Sequence, residues 1–252
     1  MIKQTILITG GTGKLGKIFS KHFADNGWKV IITSTNIEKA NEFKKSIKMH
    51  ENIKIFFSDL SKPNAPKELI ESILDQGIEI NHLVNNARSL KNLYVDDSGF
   101  SSRNDMAQEY LLDVIVPYEL ATNLYLLQKD ALKTIINIGS QYGSVAANPN
   151  LYKDNLVHSP IQYSLAKAGV HHLTKELAVR FAKNDIRVNC VAYGGVEGRV
   201  DKEFVKRYSL LAPMGRMLKE EEVLGPLEFL LSNTSSSVTG HTIAADGGWT
   251  IW

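Results

Sequence analysis

A cluster of glycines near the start of the chain is the pattern with the clearest chemical meaning. Gly11, Gly13 and Gly16 have the spacing G-x-G-x-x-G directly after a short apolar run. The residues that follow, Lys17–Phe23, have apolar positions at helical spacing. A glycine turn between a strand and a helix lets a phosphate approach the backbone closely and bind free N–H groups at the helix start. The pattern predicts a dinucleotide site, and the alternative is a glycine-rich turn without a ligand.

Predicted strands and predicted helices alternate along the chain, and together they must position this glycine turn. Short apolar runs predict strands at Thr5–Thr9, Lys29–Thr33, Ile53–Ser58, His82–Asn85, Thr134–Ile138, Arg187–Ala192 and Thr242–Ala245. Helical spacing predicts helices near residues 14–26, 36–49, 64–76, 103–129, 162–183 and 220–231. Such alternation is typical of α/β proteins in which helices cover both faces of a parallel sheet. We expect one doubly wound domain, residues 1–252, with about seven strands.

Composition argues against several classes of partner. The formal net charge is only +2 and no long basic block occurs, which disfavours nucleic acid and anionic membranes as partners. Cys190 is the only cysteine, so neither an intramolecular disulfide nor a cysteine-based metal cluster is expected. His171 and His172 are adjacent on a predicted helix and do not share a face, and no metal site is predicted. No apolar run approaches the ~20 residues of a membrane helix, and the early first strand leaves no room for a signal peptide. We expect a cytoplasmic protein.

Further short motifs follow in a fixed order at the ends of the predicted strands. They are Asp59-Leu60, Asn85-Asn86-Ala87, Asn137-Ile-Gly-Ser140, Tyr163-Ser-Leu-Ala-Lys167, Arg187–Gly195 and Ala245-Asp-Gly-Gly248. None is specific alone, and a Tyr-x-x-x-Lys pair also arises by chance on one helix face. In this order, over essentially the whole chain, they resemble the short-chain dehydrogenase/reductase superfamily in its short single-domain form.

The resemblance implies a Rossmann fold and hydride transfer between a nicotinamide cofactor and a carbonyl or secondary alcohol. It assigns Ser140 to a hydrogen bond with the substrate oxygen, and Tyr163 to general acid catalysis in reduction and base catalysis in oxidation. A free phenol is too weak an acid near neutrality. Lys167, one helical turn further on, would stabilise the phenolate and hold the ribose of the nicotinamide. Asp113 falls where the family usually has the asparagine of a water-mediated proton relay; the alternative is a solvated or capped helix residue.

The resemblance also places cofactor contacts along the carboxyl edge of the sheet. The residues expected to make them are Gly10, Gly11, Thr12, Gly13, Lys14, Leu15, Gly16, Ser34, Thr35, Asp59, Leu60, Asn86, Ala87, Tyr163, Lys167 and Val196. Three positions depart from the family pattern. Lys14 and Arg88 each replace a usual glycine, and Tyr193 replaces a usual proline. Gly10, Gly13 and Gly16 follow the spacing of the larger, extended relatives.

The end of the second strand bears on which dinucleotide binds. NAD-preferring sites usually have an acidic residue about 20 residues past the glycines, whereas this chain has Ser34 there. Ser34, Thr35 and Asn36 can donate hydrogen bonds to a 2′-phosphate. Lys14 or Lys39 would add positive charge. NADP is therefore predicted. NAD remains an alternative because Glu38 can reach a ribose hydroxyl. In addition, Thr35 or Asn36 can simply cap the next helix and make no cofactor contact.

The segment between Ser140 and Tyr163 is longer than is usual in the family. Its extra part, Asn150–His158, is expected to overhang the substrate side of the crevice. Arg88, Lys153, His158 and Arg199 would give that side positive charge, although each alone is typical of a solvated surface. We expect a polar, anionic small-molecule substrate. The insert and the ending Asp246–Trp252 also resemble a subgroup associated with sialic-acid-like sugar and flagellin-glycosylation pathways.

Two other functions remain open from the sequence. The glycine spacing alone suggests a sugar-nucleotide epimerase or dehydratase, but the chain has no room for the substrate domain of those enzymes. A non-catalytic dinucleotide sensor would not require Ser140, Tyr163 and Lys167 together. The resemblance also implies a homo-oligomer, a tetramer or a dimer.

Overall fold

Seven strands form one parallel sheet in the computed structural model, which describes residues 4–153 and 159–252. The strands are β1 (Thr5–Ile8), β2 (Lys29–Ser34), β3 (Ile53–Phe57), β4 (His82–Asn85), β5 (Thr134–Ser140), β6 (Arg187–Tyr193) and β7 (Thr242–Ala245). Their order is β3-β2-β1-β4-β5-β6-β7, with every neighbouring pair parallel. The winding reverses between β1 and β4, which leaves a crevice at the carboxyl ends of the strands. The predicted doubly wound α/β Rossmann fold is confirmed.

Eight α-helices cover the two faces of the sheet in the described part of the chain. They are α1 (Lys14–Asp25), α2 (Ile37–Lys45), α3 (Ala65–Leu74), α4 (Arg103–Tyr110), α5 (Val116–Gln128), α6 (Ile161–Phe181), α7 (Lys202–Leu211) and α8 (Leu224–Leu231). Successive side chains of a strand point to opposite faces. Ile6 and Ile8 therefore pack with α1 and α8, while Leu7 packs with α3 and α5. None of the helices described is long and apolar enough to cross a membrane.

The predicted helix over residues 103–129 is instead two helices joined by a π-helical turn at Leu111–Ile115. Pro117, in the first turn of α5, explains the break. Proline has no N–H to donate to the carbonyl of Asp113, so the α-helical ladder cannot run through this point. Turns of this kind occur frequently at functional sites, and this one carries Asp113.

Two further differences from the sequence prediction lie near the end of the chain. Helix α7 was not predicted, although Asp201 caps it by accepting a 2.8 Å hydrogen bond from the N–H of Phe204. The helix predicted over 220–231 begins as a 3-10 turn at Glu220–Val223, and α8 starts only at Leu224. Pro226 cannot donate to the carbonyl of Glu222, which prevents an earlier α-helical start.

Candidate active site

A cavity of about 770 Å³ lies at the carboxyl ends of the strands, where the crevice is expected. Most of the predicted site residues line it: Gly10, Thr12, Gly13, Lys14, Leu15, Ser34, Thr35, Asp59, Leu60, Asn86, Ala87, Ser140, Tyr163, Lys167 and Val196. Gly11, Gly16 and Asp113 do not line it. These three residues lie behind the residues that form the cavity wall.

The glycine loop is held by close packing and by Asn86. Gly10 has a φ of +63°, a left-handed conformation that favours glycine. A Cβ on Gly16 would collide with the carbonyl oxygen of Gly10, and one on Gly11 would lie 2.5 Å from Ile32. The amide of Asn86 donates to the carbonyl oxygens of Thr9 and Gly10, at 2.9 and 3.2 Å. These glycines and this asparagine shape the loop.

The start of α1 fits a dinucleotide phosphate. Gly13 precedes the helix in extended conformation, and no side chain of the described residues caps its first turn. The first N–H groups of α1 therefore have no side-chain partner and lie at the positive end of the helix dipole. Because Gly10 and Gly13 contribute only backbone to the cavity wall, an anion can approach these N–H groups.

At the end of β2, the cavity wall consists of neutral donors and one lysine. Ser34, Thr35 and Lys39 line it, whereas Glu38 does not. The Ser34 hydroxyl lies 3.2 Å from that of Thr12. Asn36 caps α2 by accepting a 2.8 Å hydrogen bond from the N–H of Lys39, so the capping alternative holds for Asn36.

The next lining residues, Asp59 and Leu60, follow β3. Asp59 is the only acidic side chain among the described residues that line the cavity. Its Oδ1 accepts a 2.6 Å hydrogen bond from the Ser61 hydroxyl. This bond holds the pKa of Asp59 below its usual range, so the carboxylate stays ionised at this end of the cavity.

Lys14 points away from Ser34. Its ammonium group donates to the carbonyl oxygen of Val196 at 3.1 Å and to that of Glu197, and lies 3.9 Å from a carboxylate oxygen of Glu220. Lys14 therefore links α1 to the loop after β6, and Lys39 is the lysine that lines the cavity beside Ser34.

The residues predicted to carry the reaction meet at the other end of the cavity. Ser140 ends β5, and its hydroxyl accepts a 3.2 Å hydrogen bond from the N–H of Tyr142. Tyr163 and Lys167 lie in the first two turns of α6, with the Lys167 ammonium 5.7 Å from the Tyr163 ring centre. The guanidinium of Arg88 lies 4.5 Å from the same ring centre. Two cations therefore lie close to the predicted acid.

Asp113 is paired with Lys167 beneath the cavity. Both side chains are buried, with Lys167 Nζ 3.1 Å from Asp113 Oδ2. The ammonium also donates a 2.9 Å hydrogen bond to the carbonyl oxygen of Ile138. Burial is the largest influence and alone would lower the pKa of Lys167, but the charges of Asp113 and Tyr163 and the hydrogen bond with Asp113 together raise it. Lys167 is therefore cationic at neutral pH, and Asp113 is not a solvated helix residue.

Several aromatic side chains that the sequence analysis did not single out form the end of the cavity where a substrate is expected, which we call the substrate end. They are Tyr142, Tyr152, Phe204 and Tyr208, together with Gln141. The hydroxyls of Tyr142 and Tyr152 lie 2.9 Å apart, and Tyr208 donates a 3.0 Å hydrogen bond to Gln141. Phe204 and Tyr208 lie on α7, so the helical spacing of Phe204, Tyr208 and Leu211 was the signal that could have found them.

The predicted insert contributes to this wall. Leu151 is fully buried against Tyr208 and Trp249, and its carbonyl oxygen accepts a 2.6 Å hydrogen bond from Arg207. Of the four basic residues predicted for this side, Arg88 and Arg199 line the cavity, whereas Lys153 does not. His158 lies outside the described residues.

Comparisons with known proteins decide the family. Residues 14–250 match the family model described as "Enoyl-(Acyl carrier protein) reductase". An oxidoreductase of Bacillus subtilis is 30% identical over 255 residues, which cover 98% of this chain and 99% of the relative. The chain belongs to the short-chain dehydrogenase/reductase family. Post-translational flagellin modification protein A of Campylobacter coli is 28% identical over 260 residues, covering 98% of both chains.

Two solved structures agree with the fold and with a nicotinamide cofactor. A short-chain dehydrogenase from Leptospira borgpetersenii with bound NAD⁺ has a TM-score of 0.85 and 26% identity, covering 98% of this chain and 93% of that one. ElxO with bound NADP has a TM-score of 0.85 and 25% identity, with both chains fully covered. This short-chain dehydrogenase/reductase is an NAD(P)-dependent oxidoreductase that acts on alcohol or carbonyl groups.

Proposed function

We propose that the protein is an NADP-preferring reductase or dehydrogenase of a polar, sugar-like substrate, with Tyr163 as its acid/base. The observation that carries this proposal is the buried Lys167–Asp113 pair beside Tyr163, in the wall of a cavity that the glycine loop also lines. An ion pair buried at a cavity wall is costly unless it serves the site. A non-catalytic sensor has no use for it.

The bound cofactor supplies or accepts the hydride at its nicotinamide ring. The chain supplies the proton and the orientation. Ser140 donates a hydrogen bond to the substrate oxygen, and the Tyr163 hydroxyl gives that oxygen its proton in reduction or removes it in oxidation. Lys167 stabilises the phenolate that reduction leaves behind, and Asp113 holds Lys167 in place as a positioning residue.

The proposed cofactor roles follow the same wall. The N–H groups at the start of α1 would bind the pyrophosphate, with Thr12 and Leu15 beside it. Asp59 and Leu60 would frame the adenine, Asn86 and Ala87 the adenosine ribose, and Val196 the carboxamide. NADP is preferred because Ser34, Thr35 and Lys39 surround the expected position of the 2′-phosphate without an acidic side chain.

We expect Ser34→Asp to shift cofactor preference from NADPH toward NADH by at least about tenfold, which corresponds to roughly 1.4 kcal/mol. The new carboxylate would repel the 2′-phosphate across a partly shielded gap. It can also accept a hydrogen bond from the 2′-hydroxyl of NADH. Fluorescence titration of both reduced cofactors measures the ratio.

Asn36→Asp is the matched control for this experiment. It adds the same charge two residues further on, keeps the α2 cap, and lies on an exposed residue that does not line the cavity. It should shift the ratio much less. A wild-type preference for NADH, or an unchanged ratio in Ser34→Asp, would instead make Glu38 the ribose ligand.

The charge of the substrate end supports a polar, anionic substrate. Arg88 and Arg199 line the cavity, and Asp59 at the adenine end is the only acidic lining residue described. Among the relatives is a D-arabinitol 2-dehydrogenase of Candida tropicalis, 24% identical over 272 residues. This relative and the flagellin modification protein support a sugar derivative as the substrate class.

We expect Arg88→Gln to raise KM for a carboxylate-bearing ketosugar by at least about tenfold, with little change in KM for a neutral ketosugar. The guanidinium beside Tyr163 is placed to pair with an anionic group next to the reacting carbon. NADPH oxidation over a panel of neutral and carboxylate-bearing ketosugars measures both constants. Equal effects on the two substrate classes would show that Arg88 only packs on the ring.

We also propose one domain over residues 1–252, a cytoplasmic location and a homo-oligomer, dimer or tetramer. Support for the oligomer comes from large apolar side chains exposed on α4, α5, α6 and the π-helical turn, such as Tyr110, Ile115, Tyr118, Leu126, Leu165 and Val179. Several large apolar side chains exposed on neighbouring helices are typical of interaction sites. Sedimentation velocity would measure the assembly state.

A further inference from the structure

Glu109, in the last turn of α4, is a buried acid that the proposed mechanism does not use. Its side chain is 1% exposed, and neither carboxylate oxygen has a hydrogen-bond partner among the described residues. An ionised carboxylate in such a position is strongly disfavoured unless it holds a proton or has a charged partner. A leucine or methionine would fill the same space without this cost, so the acid requires an explanation.

The groups around Glu109 belong to the active site. Asp113 follows four residues later in the π-helical turn, Lys167 is contributed by α6, and Arg88 by the loop after β4. Burial and the negative charge of Asp113 raise the pKa of Glu109 to about 7, while Arg88 and Lys167 partly oppose the rise. Asp113 pairs with the buried ammonium of Lys167, whereas Glu109 lies nearby without a partner among the described residues and holds a proton near neutrality.

We propose that Glu109 is the proton carrier that resupplies Tyr163 through Asp113 and Lys167. The proposal deepens the function proposed above and rests on it. The path begins at Lys167, which is near the Tyr163 ring and 3.1 Å from Asp113. It continues from Asp113 to Glu109, four residues earlier on the same helical segment, through one bridging water.

The protons balance at each step of reduction. The Tyr163 O–H bond breaks as the product O–H bond forms, and the phenolate then takes a proton from the Lys167 ammonium. The neutral amine takes a proton from Asp113, which has received it from the Glu109 carboxylic acid. Glu109 is left as a carboxylate and takes a proton from bulk water. In oxidation every transfer runs in reverse, and the hydride is exchanged only with the nicotinamide cofactor.

Glu109→Gln tests the proposal because it keeps the shape of the side chain and removes its proton. Glu176→Gln is the matched control, since it makes the same change at an exposed position of α6. The first readout needs no substrate: infrared spectroscopy of the cofactor-free protein follows protonated carboxyl groups from about pH 5 to about pH 9. We expect one band that disappears near neutral pH in wild type and in Glu176→Gln, and is missing in Glu109→Gln.

The second readout is the pH profile of kcat for NADPH oxidation with 2,3-butanedione as the probe carbonyl. In wild type, kcat should fall as pH rises through about 7, because the ionised carboxyl cannot supply a proton. In Glu109→Gln this step in the profile should be lost and kcat at pH 6 should drop by at least about tenfold, with KM for NADPH unchanged. A purely structural role would leave the profile in place.

Thermal unfolding gives an independent check with a defined sign. The ordinary pKa of 4.5 applies in the unfolded chain and the raised one in the folded protein, so wild type loses stability as pH rises between the two values. Glu109→Gln lacks this loss. Its Tm should exceed that of wild type at pH 8, and the difference should shrink toward pH 5.

The possible failures are distinguishable. If the neutral infrared band persists in Glu109→Gln, or if the pH profile of that variant matches wild type, the proton-carrier proposal is wrong. If Tyr163→Phe remains active, the proposed function itself is wrong. Loss of activity in Tyr163→Phe together with a wild-type profile in Glu109→Gln would overturn only the role of Glu109.

Discussion

Tyr163→Phe is expected to lower kcat by about 10²- to 10⁴-fold, the usual contribution of a positioned general acid. The change removes one hydroxyl and little volume. The remaining ring still fills the space beside Arg88 and Lys167, which lie 4.5 and 5.7 Å from its centre. The affinity for NADPH should stay within about twofold of wild type, because the ring remains and the hydroxyl supplies only one of many expected cofactor contacts. Stopped-flow NADPH oxidation and fluorescence titration measure the two quantities.

Tyr125→Phe is the matched control for this variant. Tyr125 lies on α5, stacks on Phe181 and donates a 2.8 Å hydrogen bond to Asn184, and it does not line the cavity. The same loss of a hydroxyl there should leave kcat unchanged. If Tyr163→Phe keeps a kcat near that of wild type, Tyr163 is not the acid/base of this enzyme.

The sheet and the glycine loop could be predicted because their signals are local. The central strands β1, β4 and β5 are short runs buried along their whole length, and a parallel sheet covered on both faces requires such runs. The glycines are required by the backbone. Gly10 has a positive φ that would strain any other residue, and a Cβ on Gly16 would collide with the carbonyl oxygen of Gly10. The sequence could therefore predict the fold and the glycine loop that lines part of the cavity.

The substrate end could not be predicted in the same way, because long-range contacts build it. Tyr152 follows β5 and Tyr208 lies on α7, and both become part of the cavity wall only when the insert packs against α7. The direction of Lys14 is set by the carbonyl oxygens of Val196 and Glu197, far along the chain. A sequence pattern shows that a lysine is present near the loop, but tertiary contacts decide which end of the cofactor it faces.

Glu109 was missed for a related reason. A single glutamate within the polar stretch Arg103–Tyr110 is typical of an exposed helix surface, since glutamate is almost never fully buried unless it is paired. Only the packing of α4 on α6 removes it from water. Asp113 could be found because the family motif marks its position, whereas nothing in the local sequence marks Glu109.

Because Asp113 and Lys167 are a buried ion pair, we expect two substitutions of Asp113 to differ in their effect on stability. Asp113→Leu leaves the Lys167 ammonium buried without its partner and should cost about 3–5 kcal/mol of stability together with most of the activity. Asp113→Asn keeps the volume and an oxygen acceptor. It also removes the negative charge that raises the pKa of Glu109, so Glu109 ionises more readily and becomes the counterion of Lys167. Its stability should therefore stay close to that of wild type, whereas its kcat should fall about as far as in Glu109→Gln, because an amide cannot pass the proton from Glu109 to Lys167.

Combining Asp113→Asn with Glu109→Gln separates this compensation from simple tolerance. The double variant has no buried carboxylate near Lys167, so it should lose stability beyond the sum of the single effects, with a coupling of about 1–3 kcal/mol. Its kcat should fall little further than in either single variant, because both changes interrupt the same proton path. Thermal unfolding and kcat at neutral pH for the four proteins of this cycle measure that coupling. Additive effects would show that the two acids act independently, and equal activity in Asp113→Leu and wild type would show that Asp113 has no part in holding Lys167. Strong coupling would mean that the lysine behind Tyr163 is held by two carboxyl groups with one proton between them, in place of the single amide usual at this position of the family.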